Sequence, residues 1–139
     1  MSDHIPAKQG TQRGDMGPRP SWDANFLEHA AVAAKMSTCE RTFKYGGVGC
    51  VLVRDRLILA TGFCGSIRKA QHCSDPGVGC LIDPNTGGCI RTVHAEVNAI
   101  LNAASHGIKI EGATAYITMS PCFECFKALT NAGAVRILY

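Results

Sequence analysis

Two short segments constrain this chain more than any other feature: His94-Ala95-Glu96, and Ser120-Pro121-Cys122-Phe123-Glu124-Cys125. Each opens a stretch with helical periodicity. From His94 to His106 the residues Val97, Ile100, Leu101 and Ala104 fall on one face, and Gly107 supplies a C-terminal stop. From Pro121 to Ala132, Pro121 suits the first helical position and Ser120 the N-cap, which puts Cys122 and Cys125 on one face of the first turn. Thiols at the positive end of a helix favour the thiolate. For His94 and these thiols to act together, both helices must start from the same end of a sheet.

The rest of the pattern supplies that sheet. Ser21 to Thr38 reads as a first helix, with Phe26, Leu27, Ala30, Ala31 and Ala34 at three- and four-residue spacing. Val48 to Val53 and Leu57 to Phe63 are β-rich runs separated by Arg54-Asp55-Arg56, which predicts an antiparallel hairpin. Ala113 to Met119 and Ala134 to Tyr139 read as strands on either side of the Pro121 helix, one parallel crossover unit. The expectation is an α/β layer fold with a mixed central sheet. Its 139 residues make one domain, running from 21 to 139. Residues 1–20, rich in Pro and Gly without an apolar period, are expected to form a disordered tail, and the end on a strand suggests a missing C-terminal element.

Eight cysteines without an export signal point to metal or catalysis rather than disulfides. His94, Cys122 and Cys125 form a three-ligand zinc set that leaves a fourth position for water, the coordination of a catalytic centre. Glu96, two residues beyond the histidine, is placed to take that water's proton and return it to a substrate. Each part alone has a plainer reading, because a single CxxC is often a redox pair or half a zinc knuckle. Together they match the HxE and PCxxC signature of zinc nucleobase deaminases.

A second group is Cys39, Cys73, Cys80 and Cys89, three of them in the aperiodic stretch from Cys64 to Arg91. A loop of that length needs an internal clamp or a function. Four thiolates make a closed, structural zinc site, in which His72 could replace one cysteine; the alternative is that Cys39 is a small helix-end hydrophobe and the others are free thiols. Cys50 and Cys64 read as core residues. His4, His29 and His106 read as solvated, and Trp22 as packing.

Charged residues are only 18% against 46% hydrophobic, below the roughly 25% charged of ordinary domains, so hidden surface and a homo-oligomer are expected. The net charge of +3 has no basic run behind it, which argues against a nucleic-acid polymer and leaves room for a small anionic ligand. No apolar stretch approaches a membrane span or a signal peptide, so no membrane partner and a cytoplasmic location are expected.

From Arg19 to Tyr139 the chain resembles the deoxycytidylate (dCMP) deaminases. The resemblance is carried by Trp22-Asp23, Ser37-Thr38-Cys39, the run Ile58 to Gly62, His72-Cys73, Cys89 through Ile100 with HAE followed by VNAI, Glu111-Gly112-Ala113 and Ser120-Pro121-Cys122. It implies a three-layer cytidine deaminase-like fold with helices on both faces, and hydrolytic conversion of dCMP to dUMP and ammonia, supplying thymidylate synthesis. Alternatives are a deaminase of another cytosine compound, a non-catalytic zinc-stabilised domain, and a thiol oxidoreductase. The resemblance further implies a catalytic zinc, a second structural zinc, a homo-oligomer with sites near subunit boundaries, and a deoxynucleoside triphosphate as a candidate effector. The backbone near Ala95 and Ser120 would hold the pyrimidine, and Arg41 would contact phosphate. Where the family reads Gly-Tyr-Asn-Gly, this chain has Gly62-Phe63-Cys64-Gly65, so Cys64 stands in place of a nucleotide-contacting asparagine. The segment from Glu40 to Gly47 is longer than its family counterpart.

Overall fold

The computed structural model describes residues 17–139; of the tail expected over residues 1–20, residues 1–16 lie outside the described residues. Its framework is a four-stranded sheet of β1 (Gly49–Arg54), β2 (Leu57–Phe63), β5 (Thr114–Ile117) and β6 (Arg136–Leu138), ordered β2-β1-β5-β6. β1 pairs antiparallel with β2 and β5, and β5 pairs in parallel with β6. The expected hairpin closes through Asp55 and Arg56, whose φ values of 52° and 64° give the left-handed two-residue turn that suits strand twist.

Alternation along the strands builds two cores. Val51, Val53 and Tyr116 face α1 (Trp22–Ala34), where they pack with Phe26 and Ala30. Cys50, Leu52, Ala115 and Ile117 face the other way, onto Ala95, Ala99 and Ala103 of α3 (Ala95–Ser105) and Leu129 of α4 (Phe123–Asn131). This is the expected three-layer arrangement, and Cys50 is the core residue its position in the alternation suggests. α3 and α4 lie on the same face, with their N-terminal residues beside one another.

Three expectations need correction. The first helix stops at Ala34, short of Thr38, because the following residues bond elsewhere. Ser37 Oγ donates to Val48 O and accepts the Val48 N–H, and Thr38 N–H donates to Cys64 O. The longer Glu40–Gly47 segment contains a helix of its own, α2 (Glu40–Phe43), too short to announce itself by periodicity. The stretch from Cys64 to Arg91 is partly tied to regular structure: β3 (Gly65–Ser66) pairs with β4 (Thr92–Val93), and Ile82 bridges Cys89. Trp22 packs as expected, stacking on Phe26 while 40% exposed, with Arg19 and Arg56 over its ring. Among the described residues no helix is long and apolar enough to cross a membrane.

Candidate active site

α3 and α4 each begin on a metal-capable side chain. His94 is the N-cap of α3, and Cys122, not Ser120, is the N-cap of α4. The Cys122 thiol takes over the capping role itself by accepting the Cys125 N–H at 3.5 Å, so the helix starts after Pro121 and leaves Ser120 outside it. His94 Nδ1 then lies 3.6 Å from Cys122 Sγ and 3.4 Å from Cys125 Sγ. Zinc with ordinary bond lengths to nitrogen and sulfur, at a tetrahedral angle, requires an N···S separation of about 3.6 Å. The donor set therefore fits zinc in both chemistry and spacing, and three donors leave a tetrahedral ion one open position.

Glu96 is 3% exposed, the one buried charged residue among those described, and its carboxylate forms no ion pair there. Burial, and then the negative charge of Glu96, push the Cys125 thiol's pKa up, a conflict that a divalent cation between them relieves. A carboxylate held out of water without a cationic side chain is costly, and it lines a hollow of about 200 Å³ where it can reach a ligand.

One side of that hollow consists of His94, Ala95, Glu96, Met119, Ser120 and Cys122, all from the two helix starts and the end of β5. The other side is Thr42, Val48 and Cys64. Ala95, Ser120 and Cys64 thus come together with the metal-capable residues. Arg41 does not line this hollow; it lies on α2 beside Thr42, lining a neighbouring depression with Lys44 and Tyr45. Thr42 escapes sequence reasoning because α2 carries no periodic signal, and Met119 because nothing separates it from an ordinary strand end.

The second cysteine group is also assembled. The Sγ atoms of Cys39, Cys73, Cys80 and Cys89 all lie within 4.8 Å of one another. Cys39 to Cys80 and Cys73 to Cys89 are each 3.7 Å. Four thiolates around zinc are about 3.8 Å apart, so this set fits the ion as well. Burial works against ionisation of Cys89, but hydrogen bonds from the Arg91 N–H, the Cys73 thiol, the Thr92 hydroxyl and the Leu81 N–H outweigh it and bring the thiol down to about 6. His72 stays out of the group, with Nδ1 3.2 Å from Thr38 Oγ1. Cys64 packs against the group without joining it, and burial holds its thiol up at about 12.

Residues 20–139 match the model of the cytidine and deoxycytidylate deaminase zinc-binding region. The chain is 40% identical over 122 residues to ComE operon protein 2 of Bacillus subtilis, covering 87% of this chain and 60% of that protein. It is 37% identical over 132 residues to the deoxycytidylate deaminase of Mycobacterium phage D29, covering 87% of this chain and 95% of that one. It thus spans less than two thirds of the Bacillus relative, and 37% of the deoxycytidylate deaminase of Schizosaccharomyces pombe. The fold superposes on dCMP deaminase from the cyanophage S-TIM5, a crystal structure in complex with dCMP and dUMP, with a TM-score of 0.69, 25% identity and coverage of 86% and 81%. With the family model matched across both helix starts and both cysteine groups, the chain belongs to the zinc-binding cytidine and deoxycytidylate deaminases.

Proposed function

We propose that this protein hydrolyses dCMP to dUMP and ammonia, a source of dUMP for thymidylate synthesis. The observation that carries the reading is Glu96, buried without an ion pair and facing the same hollow as His94 and Cys122. Residues 21–139 form the deaminase domain. His94, Cys122 and Cys125 would hold a zinc, which would acidify a water in the open position. Glu96 would take one proton as the water oxygen adds to C4 and pass it to ring N3, then take the second and pass it to the amine as the C4–N bond breaks, so that water and a cytosine yield a uracil and ammonia. Burial keeps the carboxylate dry and oriented, which suits repeated proton transfer in one site.

The remaining residues bind. The backbone at Ala95 and Ser120 holds the pyrimidine, Thr42 and Cys64 face the sugar, and Arg41, one residue from Thr42, meets the phosphate. Cys39, Cys73, Cys80 and Cys89 hold a second, structural zinc, supported by sulfur spacings that suit the ion. Family membership and the unpaired thiols support a homo-oligomer in a reducing, cytoplasmic setting, with a deoxynucleoside triphosphate as effector.

A second reading is favoured by Cys64: a thiol in place of an asparagine removes hydrogen-bonding capacity, which suits a different cytosine nucleoside or nucleotide as substrate. Ammonia release from a panel of cytosine nucleosides and their mono-, di- and triphosphates separates the two. Highest kcat/KM on dCMP is expected; highest on another member selects the second reading, and no release from any member by zinc-loaded protein refutes both.

A further inference from the structure

The nucleotide hollow has two walls of different origin. His94, Glu96 and Cys122 belong to the catalytic zinc donors and their helix starts, whereas Thr42, Val48 and Cys64 are built on the tetrathiol group. Cys39 is the N-cap of α2, and its carbonyl accepts both the Thr42 N–H at 2.9 Å and the Thr42 hydroxyl at 2.8 Å. Cys80 Sγ lies 3.7 Å from Cys39 Sγ. Cys64 and Val48 pack directly against the four thiols, and the Cys64 N–H donates to Val48 O at 3.0 Å.

A four-residue helix has no stability of its own, since nucleation costs more than one turn returns. α2 therefore depends on what holds its first turn, and that is Cys39, which lies with Cys80 in the tetrathiol group. The four sulfurs lie within 4.8 Å of one another, so one cation would tie together the segments that carry them.

We infer that the tetrathiol site is the mould of the substrate-facing wall, so that its metal loading sets nucleotide affinity while leaving the proton-transfer machinery intact. The inference rests on the proposed dCMP reading and on the second zinc. Its physical content is preorganisation: with the metal bound, Thr42, Val48 and Cys64 are already in place when nucleotide arrives, and without it binding must order α2 first. Linkage makes the effect reciprocal, so bound nucleotide should retain zinc at the four thiols.

The test is Cys80→Ser, which removes a metal donor that does not line the hollow, with Cys80→His as the variant that restores a zinc donor. Zinc content, dUMP binding by calorimetry, hydrogen exchange at the α2 amides and steady-state kinetics on dCMP are measured on each. Expected for Cys80→Ser are one zinc instead of two, faster exchange at Thr42, a dUMP Kd raised about tenfold or more, and a kcat within about threefold of the parent. Cys80→His should recover zinc and affinity together, and dUMP should slow zinc loss from the parent. The effect of dUMP on zinc loss from the parent needs no variant, and so tests the linkage even where Cys80→Ser does not fold. A parent with one zinc overturns the inference at the metal, and a two-zinc parent that binds no dUMP overturns it at the substrate. Parental affinity in one-zinc Cys80→Ser, or loss of the tetrathiol zinc from the parent at the same rate with and without dUMP, overturns the linkage itself.

Discussion

Gly62 of β2 sits directly against the first turn of α3, so that a Cβ on it would lie 3.0 Å from the Ala99 Cα and closer still to the Ala95 carbonyl oxygen. That contact, together with the Asn98 amide donating to Phe63 O at 2.8 Å, fixes the helix carrying His94 and Glu96 on the sheet. Gly62→Ala should therefore push α3 outward. A loss of roughly 3 kcal/mol or more, the upper end for overpacking, is expected in denaturant unfolding, with weaker zinc retention. An unchanged midpoint would show that the helix is free to shift.

Glu96 separates an enzyme from a zinc-binding scaffold. The near-isosteric Glu96→Gln leaves every metal donor in place, so zinc content should match the parent. Turnover should fall by about 100- to 10,000-fold, the contribution of a positioned acid-base group. Ammonia release at the parental rate would remove Glu96 from the proposed chemistry.

Cys64→Asn introduces an amide on the wall of the hollow that the proposed reading gives to the sugar. One added hydrogen bond to substrate should raise kcat/KM on dCMP by about five- to tenfold, with zinc content checked in parallel because Cys64 also packs against the four thiols. No change in rate or substrate preference would make Cys64 a packing residue only.

A third site responds to pH through stability rather than activity. Tyr116 Oη donates to Asp23 Oδ1 at 2.7 Å, and Arg136 grips both oxygens of that carboxylate at 2.9 and 2.8 Å. Burial, then the Asp23 carboxylate, raise the Tyr116 phenol to about 12. Because the folded value is raised, the stabilisation is complete below the unfolded pKa of about 10 and is lost as pH rises toward 12. Asp23 has the opposite sign: Arg136 first and Tyr116 second lower its pKa, so its contribution is present above the ordinary aspartate value of about 3.9 and disappears on acidification through the lower folded value. Thermal melts from pH 8 to 12 should converge for parent and Tyr116→Phe at the alkaline end; a constant gap would refute the assignment.

The framework and the catalytic triad of metal donors are legible in the sequence because their signals are local. Phe26 and Ala30 repeat at helical spacing, Val51 and Val53 alternate with Cys50 and Leu52, and the three-residue gap Arg54-Asp55-Arg56 leaves room only for a tight turn. His94, Glu96, Cys122 and Cys125 follow from two motifs of a few residues each. Other features depend on contacts between distant segments. That the Cys122 thiol rather than Ser120 caps α4 depends on how the helix meets His94. That Cys39 meets Cys80, and Cys73 meets Cys89, depends on a loop path with irregular spacings that periodicity cannot encode. α2 is the extreme case: four residues hold no helical preference worth reading, and the helix is held at its first turn by Cys39, so its place in the wall of the hollow is decided by tertiary structure alone.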